Sequence, residues 1–326
     1  MSNFQTNIII VTNALNSIFG TVGNTAMIIT YLCRQEVRET SNWFTLASFA
    51  TGEFMSCVYY PIQILVDIYI IDNNPACLFA VTLGTASAMC FTLNVLGLTV
   101  ERYISICNPL RAPTLLTQRR IGSVILAIFI YSLTTAMFIP YVTPLGFKGN
   151  ISGAVNGCRL STVILSRSYV AFLFANGLLP IPAMIIIYCR IFQVLRRHIR
   201  TVSDLTVIQP GTSQRESGDP GRVAANANDH RVWKREAKSA VLLFIIVISF
   251  AVCWVPFVVF ILYRSFTSVV SPLAYAMSRS FVFLNVAIHP FVYGFGNKTY
   301  RQAIYLVFCG PVMKAFSRNP LTSVTV

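Results

Sequence analysis

Long apolar runs, separated by short polar and basic stretches, dominate the chain. Seven of them reach the roughly 20 residues that a helix needs to cross about 30 Å of hydrocarbon. They cover residues 8–33, 43–70, 77–106, 121–141, 169–195, 237–263 and 272–295. The pattern predicts an all-α protein, a single seven-transmembrane helix bundle over residues 1–326. Past the last run, Tyr300–Phe308 is amphipathic and predicts a short helix on the cytoplasmic surface, followed by a cytoplasmic tail at 310–326. Residues 201–230 are rich in Gly, Ser, Pro, Asn and Asp and predict a flexible third cytoplasmic loop. The first run lacks a basic leader and a small-residue cleavage site and is too long for a signal peptide, so it reads as a retained helix.

Composition supports the membrane reading. Apolar residues make up 55% of the chain and charged residues 11%, against about 25% charged in a soluble domain. The mean hydropathy of +0.65 argues against both a large water-soluble core and a disordered chain. A net charge of +14 in a soluble protein would suggest a nucleic-acid partner. The placement of the charge argues for membrane lipids instead, with no nucleic acid. Of 25 Lys and Arg residues, 20 fall on one side, in the loops after the first, third and fifth runs, at the run ends that border them, or in the tail. The other side holds Lys148, Arg159, Arg167, Arg264 and Arg279. The positive-inside rule makes the rich side cytoplasmic and the N-terminus extracellular. About seven residues precede the first run, too few for a folded outer domain, so a ligand would have to enter the bundle. A transporter or channel would call for repeats, half-helices or a polar stripe, and the sequence shows none. An intramembrane enzyme needs paired acids or a metal cluster at depth, whereas only Glu53 and His289 lie well inside the runs. The chain is therefore not expected to be an enzyme, nor to hold a metal or cofactor.

Depth sorts the nine cysteines. Cys57, Cys90, Cys189 and Cys253 lie inside runs, where a thiol acts as a small apolar filler. Cys33, Cys107 and Cys309 lie at the reducing, cytoplasmic end. Cys77 and Cys158 alone face the oxidising side, either bridged to each other or as two free thiols. Cys309, after the amphipathic stretch, is a candidate for S-palmitoylation or an unmodified cysteine. Asn150-Ile151-Ser152 is a glycosylation sequon on the outer second loop.

Ionisable groups at membrane depth are costly and are usually functional or paired. Glu101-Arg102-Tyr103 ends the third run, with Arg102 about 37 Å along a helix from Cys77. Arg102 can pair with Glu236 at the start of the sixth helix or snorkel to the interface. Pro256, within Cys253-Trp254-Val255-Pro256, predicts a kink in the sixth helix. Pro180 and Pro182 do so in the fifth helix, and Pro290 in the seventh. Asn285, His289 and Tyr293 are spaced by four and share a helix face. Kinked helices give the bundle places to bend between two states.

Together these residues resemble the class A (rhodopsin-like) G-protein-coupled receptors over nearly the whole chain. Gly23-Asn24, Glu101-Arg102-Tyr103, Pro109, Pro180, Tyr188, Phe250 with Cys253-Trp254-Val255-Pro256, and His289-Pro290-Phe291-Val292-Tyr293 match the family's signatures in order. Cys77 and Cys158 match its disulfide. The resemblance implies a plasma-membrane receptor that passes an extracellular small-molecule or peptide signal to a heterotrimeric G protein. Arg102 would contact the G protein when active and be restrained by Glu236 when inactive. Trp254 would lie beneath the ligand, and movement around it and Phe250 would swing the sixth helix outward. Tyr188 and Tyr293 would then steady the open crevice. A receptor-like protein that no longer signals is the alternative, ahead of a transporter or channel.

The departures concern ligand and ion binding. The family's second-helix Asp falls at Gly52, beside Glu53, its seventh-helix Asn at His289, and its third-helix sodium residue at Phe91. The fourth-helix Trp is replaced, with Ile130 near its place. His289 is either a pH sensor or a neutral hydrogen-bonding substitute for Asn. The amine-binding Asp falls at Gly84 and the retinal Lys at Phe283. Tyr188-Cys189-Arg190-Ile191-Phe192 and Ala237-Lys238-Ser239 faintly resemble the adenosine and amine branches, far from any ligand. Arg279, a charge in the apolar upper seventh helix, either anchors an anionic ligand or pairs with Asp67 atop the second. With no sodium site of the usual kind, agonist affinity measured with and without sodium at fixed ionic strength is expected to be the same. A strong sodium-specific loss of affinity would contradict this.

Overall fold

The computed structural model describes residues 3–40, 43–67, 74–139, 167–207, 220–267 and 271–309. Eight principal helices follow one another. They are α1 (Asn3–Cys33), α2 (Trp43–Phe54, a π-helical turn at Met55–Tyr59, then Tyr60–Asp67) and α3 (Asn74–Cys107). α4 (Gln118–Leu133, then a π-helical turn at Thr134–Phe138) and α5 (Arg167–Leu178 and Pro180–Val207) come next. α6 (Pro220–Phe266), α7 (Pro272–Gly296) and α8 (Lys298–Phe308) complete the series. Side chains supply the caps that helix ends require. Thr117 accepts the Arg120 amide at 3.4 Å, Ser271 the Ala274 amide at 3.3 Å, and Asn297 the Thr299 amide at 3.0 Å.

Among the described residues, four segments are each long and apolar enough to cross a membrane: Leu78–Cys107, Gln118–Phe138, Ala171–His198 and Ala237–Tyr263. Their surroundings differ. In its most apolar stretch α3 is 83% buried, whereas α4 and α6 are 22% buried. α3 is the central post, packed against α2, α4, α5 and α6, while α1 lies between α2 and α7. The outward faces of α1, α4 and α6 carry Ile8, Leu15, Ile18, Leu126, Ile130, Val252 and Val259, all exposed. In water such a surface would drive aggregation. In hydrocarbon it is at rest, because lipid tails are as apolar as the side chains.

The fifth helix is broken at Leu179, immediately before Pro180. α6 and α7 instead continue through Pro256 and Pro290. The sequence pattern did not foretell the two π-helical turns. Each precedes a proline and has one cause. The Tyr60 amide bonds the Met55 carbonyl and the Ile139 amide bonds the Thr134 carbonyl, both five residues back. Continued by one residue, that register would pair the Ser56 carbonyl with residue 61 and the Thr135 carbonyl with residue 140; both positions are proline in the sequence and have no N–H to give. Neighbouring helices supply the missing donors. The Ser17 hydroxyl donates to the Ser56 carbonyl at 2.6 Å, and the Tyr169 hydroxyl to the Thr135 carbonyl at 2.8 Å. Proline thus turns a lost intrahelical bond into an interhelical one, joining α1 to α2 and α5 to α4.

The third-loop expectation needs correction. α5 continues to Val207 and α6 begins at Pro220, so helix enters both ends of the stretch 201–230. Loop composition misled there because Pro220 suits a first helical position and Val223-Ala224-Ala225 favours helix. Residues 208–219 lie outside the described residues.

Close backbone approach draws α1 to the α7 proline. A Cβ at Gly23 would stand 2.6 Å from Pro290 Cγ, so this crossing requires glycine. Next to it, Asn24 Nδ2 donates to the Gly20 carbonyl at 2.8 Å and to the Val286 carbonyl of α7 at 3.4 Å. α8 tucks its buried Tyr300 and Ala303 against α1 and α7.

Ser17→Ala orphans the Ser56 carbonyl and should cost about 1–3 kcal/mol. The expected result is a lower unfolding temperature of the purified protein in lipid, with Ser17→Thr close to wild type. An unchanged Ser17→Ala would show that the Ser56 carbonyl finds its donor elsewhere.

Candidate functional site

A cavity of about 140 Å³ opens between α2, α3, α5, α6 and α7. Gly84, Trp254 and Arg279 line it, together with Tyr59, Gln63, Met89, Phe257, Tyr275 and Phe283. Among the described residues, no carboxylate lines this cavity. The wall is held from behind. Tyr60, fully buried, stacks on Phe283 with ring centroids 3.7 Å apart and donates its hydroxyl to the Val282 carbonyl at 3.0 Å.

Gly84 has a specific neighbour. A Cβ there would overlap the Tyr59 ring. Tyr59 reaches it because the π-helical turn at Met55–Tyr59 adds a residue to the turn and re-aims the side chains that follow. Its hydroxyl lies 3.4 Å from Gln63 Oε1.

Arg279 is 6% exposed. Its guanidinium carbon lies 5.3 Å from the Tyr275 ring centroid and 5.9 Å from that of Phe283, within cation–π range. These rings stand four residues before and after it, on one face of α7. That Tyr-Arg-Phe spacing was legible in the sequence. The role of Tyr59 was not, because it depends on the π-helical turn.

A chain of rings runs from the cavity into the core. Tyr275 and Phe257 lie 6.4 Å apart, Phe257 and Trp254 6.4 Å, Trp254 and Phe250 5.6 Å, Phe250 and Phe91 5.9 Å, and Phe91 and His289 4.9 Å. It joins α7, α6 and α3. Aromatic contacts of this kind add about 0.5–1.5 kcal/mol each beyond burial. His289 is buried on Phe91, and its Nε2 has no hydrogen-bond partner, nor have the amide atoms of fully buried Asn285. Cys90 and Cys253 are buried, whereas Cys57 and Cys189 face outward.

At the far end, Glu101 and Arg102 are buried and Tyr103 is half-buried. Tyr188 of α5 lies near Thr99 and within electrostatic range of Arg102, Glu101 and Tyr293, and packs on Phe244 of α6 with centroids 5.4 Å apart. Tyr293 packs edge-on against Phe49 and Tyr300. Further along, His198 of α5 stacks on Trp233 of α6 at 4.2 Å. Cys309 is exposed at the end of α8.

The side chains of Asp67, Cys77 and Glu236, and the whole of Asn150, Cys158 and residues 310–326, lie outside the described residues. The Asp67–Arg279 and Arg102–Glu236 pairings, the disulfide and the sequon are therefore not among the contacts described.

The sequence profile of the 7 transmembrane receptor (rhodopsin family) matches residues 23–293. The chain belongs to that receptor family. Members are signalling receptors of the plasma membrane, multi-pass and not enzymes. The receptor is also similar to trace amine-associated receptor 8c of Mus musculus, 27% identical over 92% of this chain and 86% of the relative. Trace amine-associated receptor 8a of Rattus norvegicus is likewise 27% identical over the same shares. Trace amine-associated receptor 9 of Homo sapiens is 25% identical over 92% of this chain and 84% of the relative.

The Gly84–Tyr59 contact can be read by a double-mutant cycle. Gly84→Ala should expel the Tyr59 ring and lower the receptor's unfolding temperature, by about 1–3 kcal/mol of overpacking. In a Tyr59→Leu background the same substitution should be nearly silent. Additive losses would mean that the two residues do not touch.

Proposed function

We propose that the chain is a seven-span receptor that carries an extracellular small-molecule signal to a heterotrimeric G protein through α6. The apolar runs and their flanking charges support seven crossings with the N-terminus outside. The cavity is then on the extracellular half and the Arg102 end faces the cytoplasm.

The observation that carries this reading is the unbroken ring chain from Tyr275 at the cavity wall through Trp254, Phe250 and Phe91 to His289. A ligand against Trp254 touches the first movable link. Packed rings shift between discrete arrangements rather than deforming smoothly. Displacing Trp254 and Phe250 gives α6 a lever at Pro256, where the helix lacks one backbone bond. Its cytoplasmic end then leaves α3 and uncovers Arg102 for the G protein. Glu236 is the restraint on Arg102 in the resting state, and Tyr188 and Tyr293 flank the opened crevice. The ligand shifts this equilibrium only by its differential affinity for the two states; moving it from 1:99 to 99:1 takes about 5.5 kcal/mol.

The Cys77–Cys158 bridge pins the second outer loop over the cavity mouth, Asn150 on that loop carries glycan, and Cys309 with an acyl chain holds α8 on the inner leaflet. The relatives are named for trace amines. That chemistry is not carried over directly, because among the described residues no carboxylate lines the cavity to meet an ammonium group, and Tyr59 packs over Gly84.

Basal nucleotide exchange on a panel of G proteins tests the coupling. Glu236→Ala is expected to raise exchange several-fold and Arg102→Ala to abolish it, at equal amounts of folded receptor. No response of any G protein to any variant would move the non-signalling reading to the front.

A further inference from the structure

The cavity is walled by rings. Tyr59 of α2, Trp254 and Phe257 of α6, and Tyr275 and Phe283 of α7 all line it. On the α5 side the wall is thin, because Gly177 stands where a side chain would otherwise enter. We propose that the cavity takes a small uncharged aromatic molecule, with its ring against Trp254 and Phe257, and that Gly177 makes the room for it. This rests on the receptor reading above and names the ligand class of the same site.

Three observations converge on it. First, the lining between these rings is largely aliphatic, as in Met55, Val81, Met89, Ile261 and Val282. Such a wall favours the transfer of an apolar ring from water. It returns no hydrogen bonds to a charged group that has shed its water. The hydroxyls of Thr85 and Thr92 donate to the Val81 and Ala88 carbonyls of their own helix, each at 2.8 Å. Arg279, 6% exposed and set between Tyr275 and Phe283, belongs to the wall and offers a ligand little surface. Second, the volume of about 140 Å³ is close to the roughly 150 Å³ of an apolar cavity known to hold a benzene ring. Third, the free space has a definite place. Leu173 and Gly177 are one turn apart and both line the cavity, so they share the face of α5 turned toward it. A Cβ at Gly177 would have no neighbour within 4 Å, whereas one at Gly84 would overlap the Tyr59 ring. This half of α5 packs against both α3 and α6, which puts the open space beside the α6 rings.

The same placement connects binding to movement. Phe257 and Trp254 lie 6.4 Å apart, and Trp254 lies 5.6 Å from Phe250. A guest ring packed on the first two joins that chain, and its edge-to-face contacts add to the burial of its surface. Such contacts depend on the shape and position of the ring, not on a charge carried by the ligand. The rival occupant is an ionic ligand held by its charge at the mouth of the cavity. For that ligand the space at Gly177 is irrelevant.

The experiment uses the full-length receptor in lipid nanodiscs at neutral pH, without a G protein. Two matched sets of probes are titrated, toluene with benzylamine and benzoate, and 3-methylindole with tryptamine and indole-3-acetate. Dissociation constants are taken from the ligand-dependent shift in unfolding temperature. The uncharged member of at least one set is expected to bind roughly ten times more tightly than both charged members, or better. Gly177→Ala and Gly177→Leu extend into open space and favour helix, so both should unfold at or above the wild-type temperature. Gly177→Leu should weaken the uncharged probe about tenfold or more, and Gly177→Ala by less. An uncharged probe that acts through the lipid would shift all three receptors alike, which overturns the proposal. So would a charged member that binds as tightly as the uncharged one, or no binding by either uncharged probe. If Gly177→Leu folds poorly, Ala88→Leu fills the cavity from α3 and must give the same loss; unchanged affinity there overturns the proposal. Nucleotide exchange is then measured separately. Uncharged probes that bind without exchange on any G protein overturn the signalling reading alone, whereas exchange driven by a charged probe and not by the uncharged ones overturns the ligand class alone.

Discussion

The rest of this structure depends on one constraint, an outer surface that only hydrocarbon can cover. Ile8, Leu15, Leu126, Ile130, Val252 and Val259 point away from the bundle. Hydrocarbon offers no hydrogen bonds, so every backbone group must find its partner within the protein. Helices meet that demand everywhere except where proline interrupts them. At two such points the answer is local and side-chain based, Ser17 for the Ser56 carbonyl and Tyr169 for the Thr135 carbonyl. In water these carbonyls would have been satisfied by solvent, and neither contact would have been needed to hold neighbouring helices together.

The same constraint turns polar side chains inward, where they become the bundle's specific contacts. Asn24 ties α1 to α7, and Asn94 with Thr51 and Cys90 ties α3 to α2. Asn285 and His289 are buried without hydrogen-bond partners for the atoms already described. Such groups raise the energy of the arrangement they sit in. A packing that satisfies them better is therefore closer in free energy than it would be to a fully satisfied core. This is a physical basis for two accessible states in a bundle whose fold is otherwise fixed.

Similarity to trace amine-associated receptors at 25–27% identity coexists with a cavity that no carboxylate lines among the described residues. The cavity lining is free to vary, since function resides in the site rather than the fold. Here Tyr59 closes over Gly84, and Arg279 lines the wall between two rings of its own helix.

Sequence alone determined the helical runs and the order of the family's motifs, because hydrocarbon thickness acts on linear stretches of chain, and its charge asymmetry supplied the expected orientation. It also placed Gly84, Trp254 and Arg279 as candidates for one pocket, and the spacing of Tyr275, Arg279 and Phe283 could be read along α7. It misjudged the ends of the third loop, where residues of loop-like composition lie in helix. It gave no sign of the π-helical turns, of Tyr59 closing over Gly84, or of rings from three helices meeting in one chain. Those features depend on how much a helix rotates beside a proline and on which side chains then come within a few ångströms. That information resides in distances between segments far apart in sequence, and only the tertiary structure decided it.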